Sequence, residues 1–382
     1  MANYGRWTDC FLDTKRMKGD PVADAVVAKL FTTGSLERAS HLFERFARSD
    51  DPIPAALPDS VEAYFHVTDA LPARLDKAQI ARGQVVFEEY GPFVAAALFC
   101  SSLPQSYCAF RGARVLLESG RLSSQKRIDR RILETAQLVF DVLDTGGFEA
   151  DGRAIRTCQK VRLMHAAIRH MILSESRDPW DVAALGTPIN QEDLAGTLMA
   201  FSVVVLDALE AFGLPLTSAQ REDFYAVWRL AAHFLGLDDD VVPRDVADAH
   251  DLMTAIRARQ FGKSPAGHRL SVSLIDAMRR NVPGTLFDGL PVAMMWHLLP
   301  ADCTRHLGLE PAGRLRHYIA LQAALFRTVS KFVTVPPIVH RTVGWAIVET
   351  MKGICAEKRH FKDVSFRLPK QLERRWGFRS GR

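Results

Sequence analysis

The spacing that marks a disulfide framework or a zinc ribbon is missing from this 382-residue chain. Its six cysteines, Cys10, Cys100, Cys108, Cys158, Cys303 and Cys355, form no Cys-x-x-Cys pair and no Cys-x-x-Cys-His. A covalent c-type attachment is thereby excluded, and reduced thiols are expected, as in a cytosol. Linkers rich in Pro, Gly or Ser, low-complexity tracts and internal repeats are also absent. The length has room for two or three domains, yet nothing divides it, so one large domain over 1–355 is expected, followed by a tail over 356–382. Strict apolar–polar alternation is nearly lacking, which argues against a sheet-built fold. No His-Glu-x-x-His, Gly-x-Ser-x-Gly or Gly-Lys-Ser/Thr loop occurs, and Glu357-x-x-His360 stands alone where helical di-iron sites need two such motifs. The apolar stretch Leu194–Leu206 is halted by Asp207 and Glu210, so a buried core helix is expected rather than a membrane span. Met1–Asp9 shows no basic segment followed by an apolar one, and a cytoplasmic location is expected.

What is present is helical periodicity. Apolar residues make up 48% of the chain, ample for a large core. They recur at helical spacing over 21–33, 36–48, 76–100, 107–119, 124–144, 153–174, 191–212, 218–236, 244–259, 268–280, 310–333 and 337–356. An all-α fold follows. Pro21 suits a first helical position, and Asn190 before Gln191-Glu-Asp193 reads as an N-cap with an acidic first turn. The formal excess of +5 sits in the tail, where nine Lys/Arg oppose three Asp/Glu among Phe361, Phe366, Trp376 and Phe378. Basic residues interleaved with aromatics suit peripheral contact with an anionic membrane, or else a solvated extension or a strap on the domain. No motif supports nucleic-acid binding.

One interval carries chemistry. Ser124–Asp144 and Arg153–Ser174 flank the break Thr145-Gly-Gly-Phe-Glu-Ala-Asp-Gly152, with Arg131 and His165 roughly 17 residues from its middle, or roughly 25 Å along each helix. An antiparallel hairpin would set them at one level. Arg162, His165 and Arg169 share a stripe at i, i+3 and i+7, and Arg131, Glu134 and Thr135 share a face on the first helix. By spacing alone the same pattern also suits an ordinary Arg131–Glu134 ion pair and a core histidine.

The segments Val161-Arg-Leu-Met-His165-Ala-Ala-Ile-Arg169-His170, Arg131-x-x-x-Thr135 and Gly186-Thr-Pro-Ile-Asn190-Gln resemble the signatures of the latex-clearing protein (rubber oxygenase) family. That family includes the membrane-associated oxygenase that shortens a farnesyl side chain in mycophenolic acid biosynthesis. Tyr4–Asp13 and Gly19–Val27 look similar to bacterial members, and the resemblance runs over most of 1–355.

The resemblance implies a globin-like helical domain around one haem b, with His165 as the iron ligand. It places Arg131 and Thr135 on the distal helix, and Arg162 and Arg169 in support of the pocket. A neutral imidazole suits iron when a partner fixes its tautomer, and arginines nearby could pair with haem propionates. Two departures stand out. Glu134 occupies the place of a lysine that can cap the iron, and Val115 occupies the place of the glutamate proposed as base, with Glu118 one turn away. The expected activity is a haem b oxygenase that takes O₂ and a hydrophobic isoprenoid or aromatic molecule, cleaving C=C to carbonyl products. Arg131, Glu134 and Thr135 are its candidate catalytic residues. Alternatives are peroxidase-like chemistry using Arg131 and Glu134, a haem sensor or carrier, and a cofactor-free helical scaffold. Because the relatives that degrade rubber are exported, the lack of an export signal argues against rubber as substrate. His233 is a weaker candidate for contact with cofactor or substrate.

Overall fold

The computed structural model describes residues 4–32, 58–119, 125–150, 152–175, 179–214, 216–281, 289–311, 313, 315–317 and 319–321. The helices expected at 36–48 and 337–356, most of 310–333 and the tail 356–382 fall outside these residues. Among the described residues the fold is all-helical, and the sole β contact is an isolated bridge between Ala109 and Phe261.

In chain order the helices are α1 (Asp9–Arg16), α2 (Pro21–Thr32), α3 (Asp59–Thr68) and α4 (Lys77–Ala97), the last running into a π-helical segment, Leu98–Ser102. Then come α5 (Leu103–Cys108), α6 (Phe110–Glu118), α7 (Gln125–Leu143), α8 (Ala154–Glu175) and the single turn α9 (Val182–Leu185). The remainder are α10 (Gln191–Phe201), α11 (Val203–Ala211), α12 (Ser218–Leu235), α13 (Val246–Gln260), α14 (Pro265–Asn281), α15 (Leu290–Leu298) and α16 (Ala301–Leu307).

Local chemistry sets many of these ends. Asn190 accepts from the Asp193 amide, Asp76 from Gln79 and Asp245 from Asp248, each relieving one unpaired helix donor. Thr217 and Gln220 close a full capping box at the start of α12, and Gly236 ends that helix at φ 82°. Two continuous helices expected from periodicity are broken. The 107–119 pattern divides at Ala109, whose ψ of 88° turns its backbone toward Phe261. The 191–212 pattern divides at Ser202, whose side chain donates back to the Leu198 carbonyl at 2.7 Å. The run Gln191–Ala211 is nevertheless apolar and long enough to cross a bilayer, and 67% of its most apolar window is buried inside the protein.

Helix α12 is the axis of the core. It packs along α4 and α8, with Trp228, Tyr225, Phe224 and Phe234 fully enclosed. Gly83 on α4 permits the closest approach, since a Cβ there would lie 2.1 Å from the Asp223 carbonyl oxygen. A satellite cluster joins α2 and α3 to Leu163, Ala166 and Ala167 of α8. Asp238 takes ion pairs from Lys15 and Lys18 at 2.8 Å.

Candidate haem site and the surrounding cleft

Helices α7 and α8 form the expected antiparallel hairpin. Its lock is Asp141, fully buried, which accepts from Thr157 Oγ1 at 2.6 Å and Gln137 Nε2 at 2.7 Å and pairs with Arg153 at 2.9 Å. Burial raises the Asp141 pKa, and these three donors oppose the shift together with nearby Lys160. The Asp141–Thr157 pairing fixes the register. Eight residues further from the turn, about 12 Å at 1.5 Å per residue, position 133 comes level with His165. The interval seen in the sequence is therefore a true register relationship, shifted by two residues from Arg131.

His165 lines a cleft of about 170 Å³ built by α5, α6, α8, α10 and α13. Its Nδ1 atom is buried. Ile168 is the other α8 residue in the wall, facing Val115, Leu116 and Gly112 of α6, while Leu194, Gly196, Thr197 and Ala200 of α10 and Met253 and Ile256 of α13 form the far side. Glycines at 112 and 196 keep two wall positions free of side chain. Polar groups enter through Gln105, Gln260, Glu192, Asp193 and Thr197.

The expected site residues are distributed unevenly. Arg162 donates from Nη2 to Asp20 at 2.9 Å, and Arg169 pairs with Asp24 while donating to the carbonyls of Pro188 and Ile189 at 2.9 and 2.8 Å. These pairs lie on the flank of α8 that faces the start of α2. His165 stands at the border between that flank and the cleft. Thr135 lines a separate apolar cavity with Ile132, Ala136, Val139 and Phe140. Glu134 is half-buried on α7. Arg131 lies on the same helix, and its side chain is outside the described residues.

Val115 does line the cleft, whereas Glu118 pairs with Arg114 at 3.5 Å and is not in the wall. His233 is remote, its Nε2 lying 2.9 Å from the Ala70 carbonyl. Cys158 is a fully buried packing residue.

Sequence reasoning missed the cleft's own carboxylates. Glu192 is fully buried and gathers Arg16 at 2.6 Å, Arg259 at 3.0 Å and Gln260 at 3.1 Å. Asp193 accepts from Arg16 at 2.8 Å and from Asn190 at 2.9 Å, and burial pushes its pKa up against the Arg16 charge. The signal was present: two adjacent acids before an apolar run, read only as a favourable first helical turn.

The wall at 186–190 is held under strain. Ile189, β-branched and part of the lining, adopts φ 52°, a conformation that such side chains rarely occupy. Its carbonyl is fixed by Arg169, Thr187 Oγ1 donates to the Met17 carbonyl, and Gln191 bridges the carbonyls of Gly19 and Gly236. The Gly-Thr-Pro-Ile-Asn segment thus joins the N-terminal helices to the cleft.

Among the described residues no group of three or more His, Cys, Asp or Glu side chains could hold a bare metal ion. A single imidazole in a largely carbon-lined cleft instead fits a metal carried by a macrocycle, which needs one protein ligand.

A family model described as ER-bound oxygenase mpaB/B'/Rubber oxygenase, catalytic domain, matches residues 93–330. The rubber oxygenase of Streptomyces sp. (strain K30) is 28% identical over 258 residues, covering 67% of this chain and 62% of that protein, so the match spans less than two thirds of that relative's length. The closed-state structure of latex clearing protein LCP resembles this fold with a TM-score of 0.76 at 24% identity, covering 89% of this chain and 91% of that one. His165, Arg131, Thr135 and the whole cleft lie inside the matched interval. The chain therefore belongs to the ER-bound oxygenase mpaB/B' and rubber oxygenase family.

Proposed function

We propose that this protein is a haem b oxygenase that uses O₂ to cleave C=C bonds in a hydrophobic small molecule. The observation that carries the reading is His165: one imidazole, its Nδ1 buried, in a cleft largely walled by apolar residues and glycine, on a helix inside the interval that the family model matches. Haem, when bound, supplies the oxygen chemistry, and the protein supplies ligation, orientation and exclusion of water.

His165 would ligate the iron. Arg169 acts at one remove, pinning the Pro188 and Ile189 carbonyls so that Ile189 keeps its place in the wall. Arg162 holds α8 against the Asp20 end of α2. With valine at position 115, the carboxylates that reach the cleft are Glu192 and Asp193, both paired with Arg16. The resemblance puts Arg131 and Thr135 on the distal helix, with Glu134 between them as a third candidate catalytic residue. An apolar substrate suits the lining, since few polar anchors leave shape to decide the fit. The expected location is the cytoplasm.

The test is an absorption spectrum of haem-replete protein, ferric and ferrous, with and without imidazole. A Soret band that collapses in His165→Ala and returns when imidazole is added to His165→Gly is expected. No band, or one unchanged in His165→Ala, overturns the assignment. Oxygen uptake with an apolar polyene, in the absence of peroxide, then separates oxygenase from peroxidase chemistry.

A further inference from the structure

The second cavity is distinct in character from the His165 cleft. On α7 its wall is a single stripe, Ile132, Ala136, Val139 and Phe140, at i, i+4, i+7 and i+8. Opposite stand the end of α4 and the π-helical segment, with Phe201 of α10 closing one side. Among the described residues the Thr135 hydroxyl is the sole polar side chain in the lining, and the cavity volume is about 40 Å³.

Those two facts select the occupant. A water held in place needs two to four polar partners, and among the described residues one hydroxyl does not supply them, so this apolar recess favours an apolar guest. Its volume is roughly three times what one water requires and far below the roughly 300–1,000 Å³ of a site for drug-sized molecules. A diatomic gas fits; a prenyl chain does not.

The cavity also adjoins the cleft. Ala200 lines the cleft and Phe201 the cavity, while on α5 Gln105 faces the cleft and Leu103 the cavity. The π-helical segment is tied to this partition by Ser102 Oγ, which donates to the Ala200 carbonyl at 2.6 Å. Widened turns of this kind recur where a helix wall is shaped for a ligand.

We propose that this cavity is a holding site for dioxygen, one helix wall away from His165. The inference rests on the oxygenase reading for the identity of the gas, and on the cavity itself for the site. Dioxygen entering the protein partitions into this carbon-lined space and reaches the cleft across the α5–α10 partition.

Xenon is the probe, applied under pressure to crystals of the full chain, with carbon monoxide photolysed from the haem-loaded protein as a stand-in for O₂. Wild-type protein should show xenon between Ala136, Phe99 and Phe201. Xenon pressure should suppress the phase in which carbon monoxide waits inside the protein before returning. Ala136→Leu and Val139→Phe fill the space from two positions, and each should remove the xenon and cut that phase about threefold or more, since the guest's competent site is lost. Retained helical circular dichroism and an unshifted haem band show that a variant is folded. Xenon absent from the wild-type cavity overturns the inference, as does a carbon monoxide phase indifferent to xenon and to both substitutions. Failure of the two readings is distinguishable. A haem-loaded, oxygen-consuming chain without xenon here loses only this inference, whereas a chain that binds xenon here but takes up neither haem nor O₂ loses the oxygenase reading and the oxygen assignment together.

Discussion

Arg169 donates to the Ile189 carbonyl at 2.8 Å while Ile189 holds φ 52° beside the cleft, so a buried cation keeps a strained residue in place. Two parallel donors and the Asp24 pair require the planar guanidinium fork, which a lysine ammonium does not reproduce. Arg169→Lys is therefore expected to lose about 2–4 kcal/mol of stability, the range for breaking a buried charged network. Urea unfolding measures the loss, and faster proteolytic nicking at 186–190 locates it. A variant as stable and as resistant as wild type would show that the loop keeps its shape unaided.

Glu192 is the hub of a second network. Its fully buried carboxylate is shared by Arg16, Arg259 and Gln260, and Arg16 is 5% exposed. Glu192→Gln keeps the shape but removes the charge that two guanidiniums share, leaving Asp193 to serve Arg16 alone. The expected cost is about 3–5 kcal/mol, as for other buried pairs deprived of one partner. Denaturant unfolding of Glu192→Gln beside Arg259→Gln and the double variant gives the coupling; additive losses would mean that the groups act independently.

Much of the fold was legible because periodicity and caps are local. The spans of α2, α4, α7, α8, α12, α13 and α14 lie within a few residues of those read from apolar spacing, and Asn190 caps α10 as its residue type suggested. The breaks at Ala109 and Ser202 were not legible, since one follows from a bridge to Phe261 and the other from a serine bonding its own helix, neither of which disturbs the apolar pattern. Short helices such as α1, α3 and α16 span too few turns for a periodic signal. At the site, His165 was found through its helix, and spacing put it nearly level with Arg131. What spacing could not supply was the identity of the opposing wall. Residues from α6, α10 and α13 meet His165 only through tertiary packing, so Asp193 and Glu192 looked like ordinary acids at a helix start.

Gly83 tests how closely α4 and α12 must approach. In an exposed helix, Gly→Ala stabilises by up to about 1 kcal/mol through backbone entropy. Here a Cβ would meet the Asp223 carbonyl oxygen at 2.1 Å and the Val227 side chain at 2.6 Å. Backbone cannot yield as a flexible side chain does, so Gly83→Ala is expected to reverse the usual sign and cost about 1–3 kcal/mol. Thermal and urea unfolding read the sign directly. A gain in stability would mean that the two helices separate without penalty.

Asp144, at the end of the α7–α8 hairpin, gives a pH signature. Burial raises its pKa to about 6, with Asp141 and Glu88 adding to the rise and Arg153 opposing it. A carboxyl whose folded pKa exceeds its unfolded value binds its proton more tightly in the native state. Its ionisation therefore disfavours folding: the contribution falls as pH rises from about 4 to about 6 and stays at its low level above that range. The residue is partly exposed, so solvent screening keeps the effect well below what full burial would give. Asp144→Asn removes the charge and retains the shape. The difference in unfolding free energy between variant and wild type should be small near pH 4, grow in favour of the variant through pH 6, and level off by pH 8. Urea titrations across that range provide the curve. A flat difference, or one favouring wild type at high pH, would show that Arg153 holds the Asp144 carboxylate in a net favourable pair.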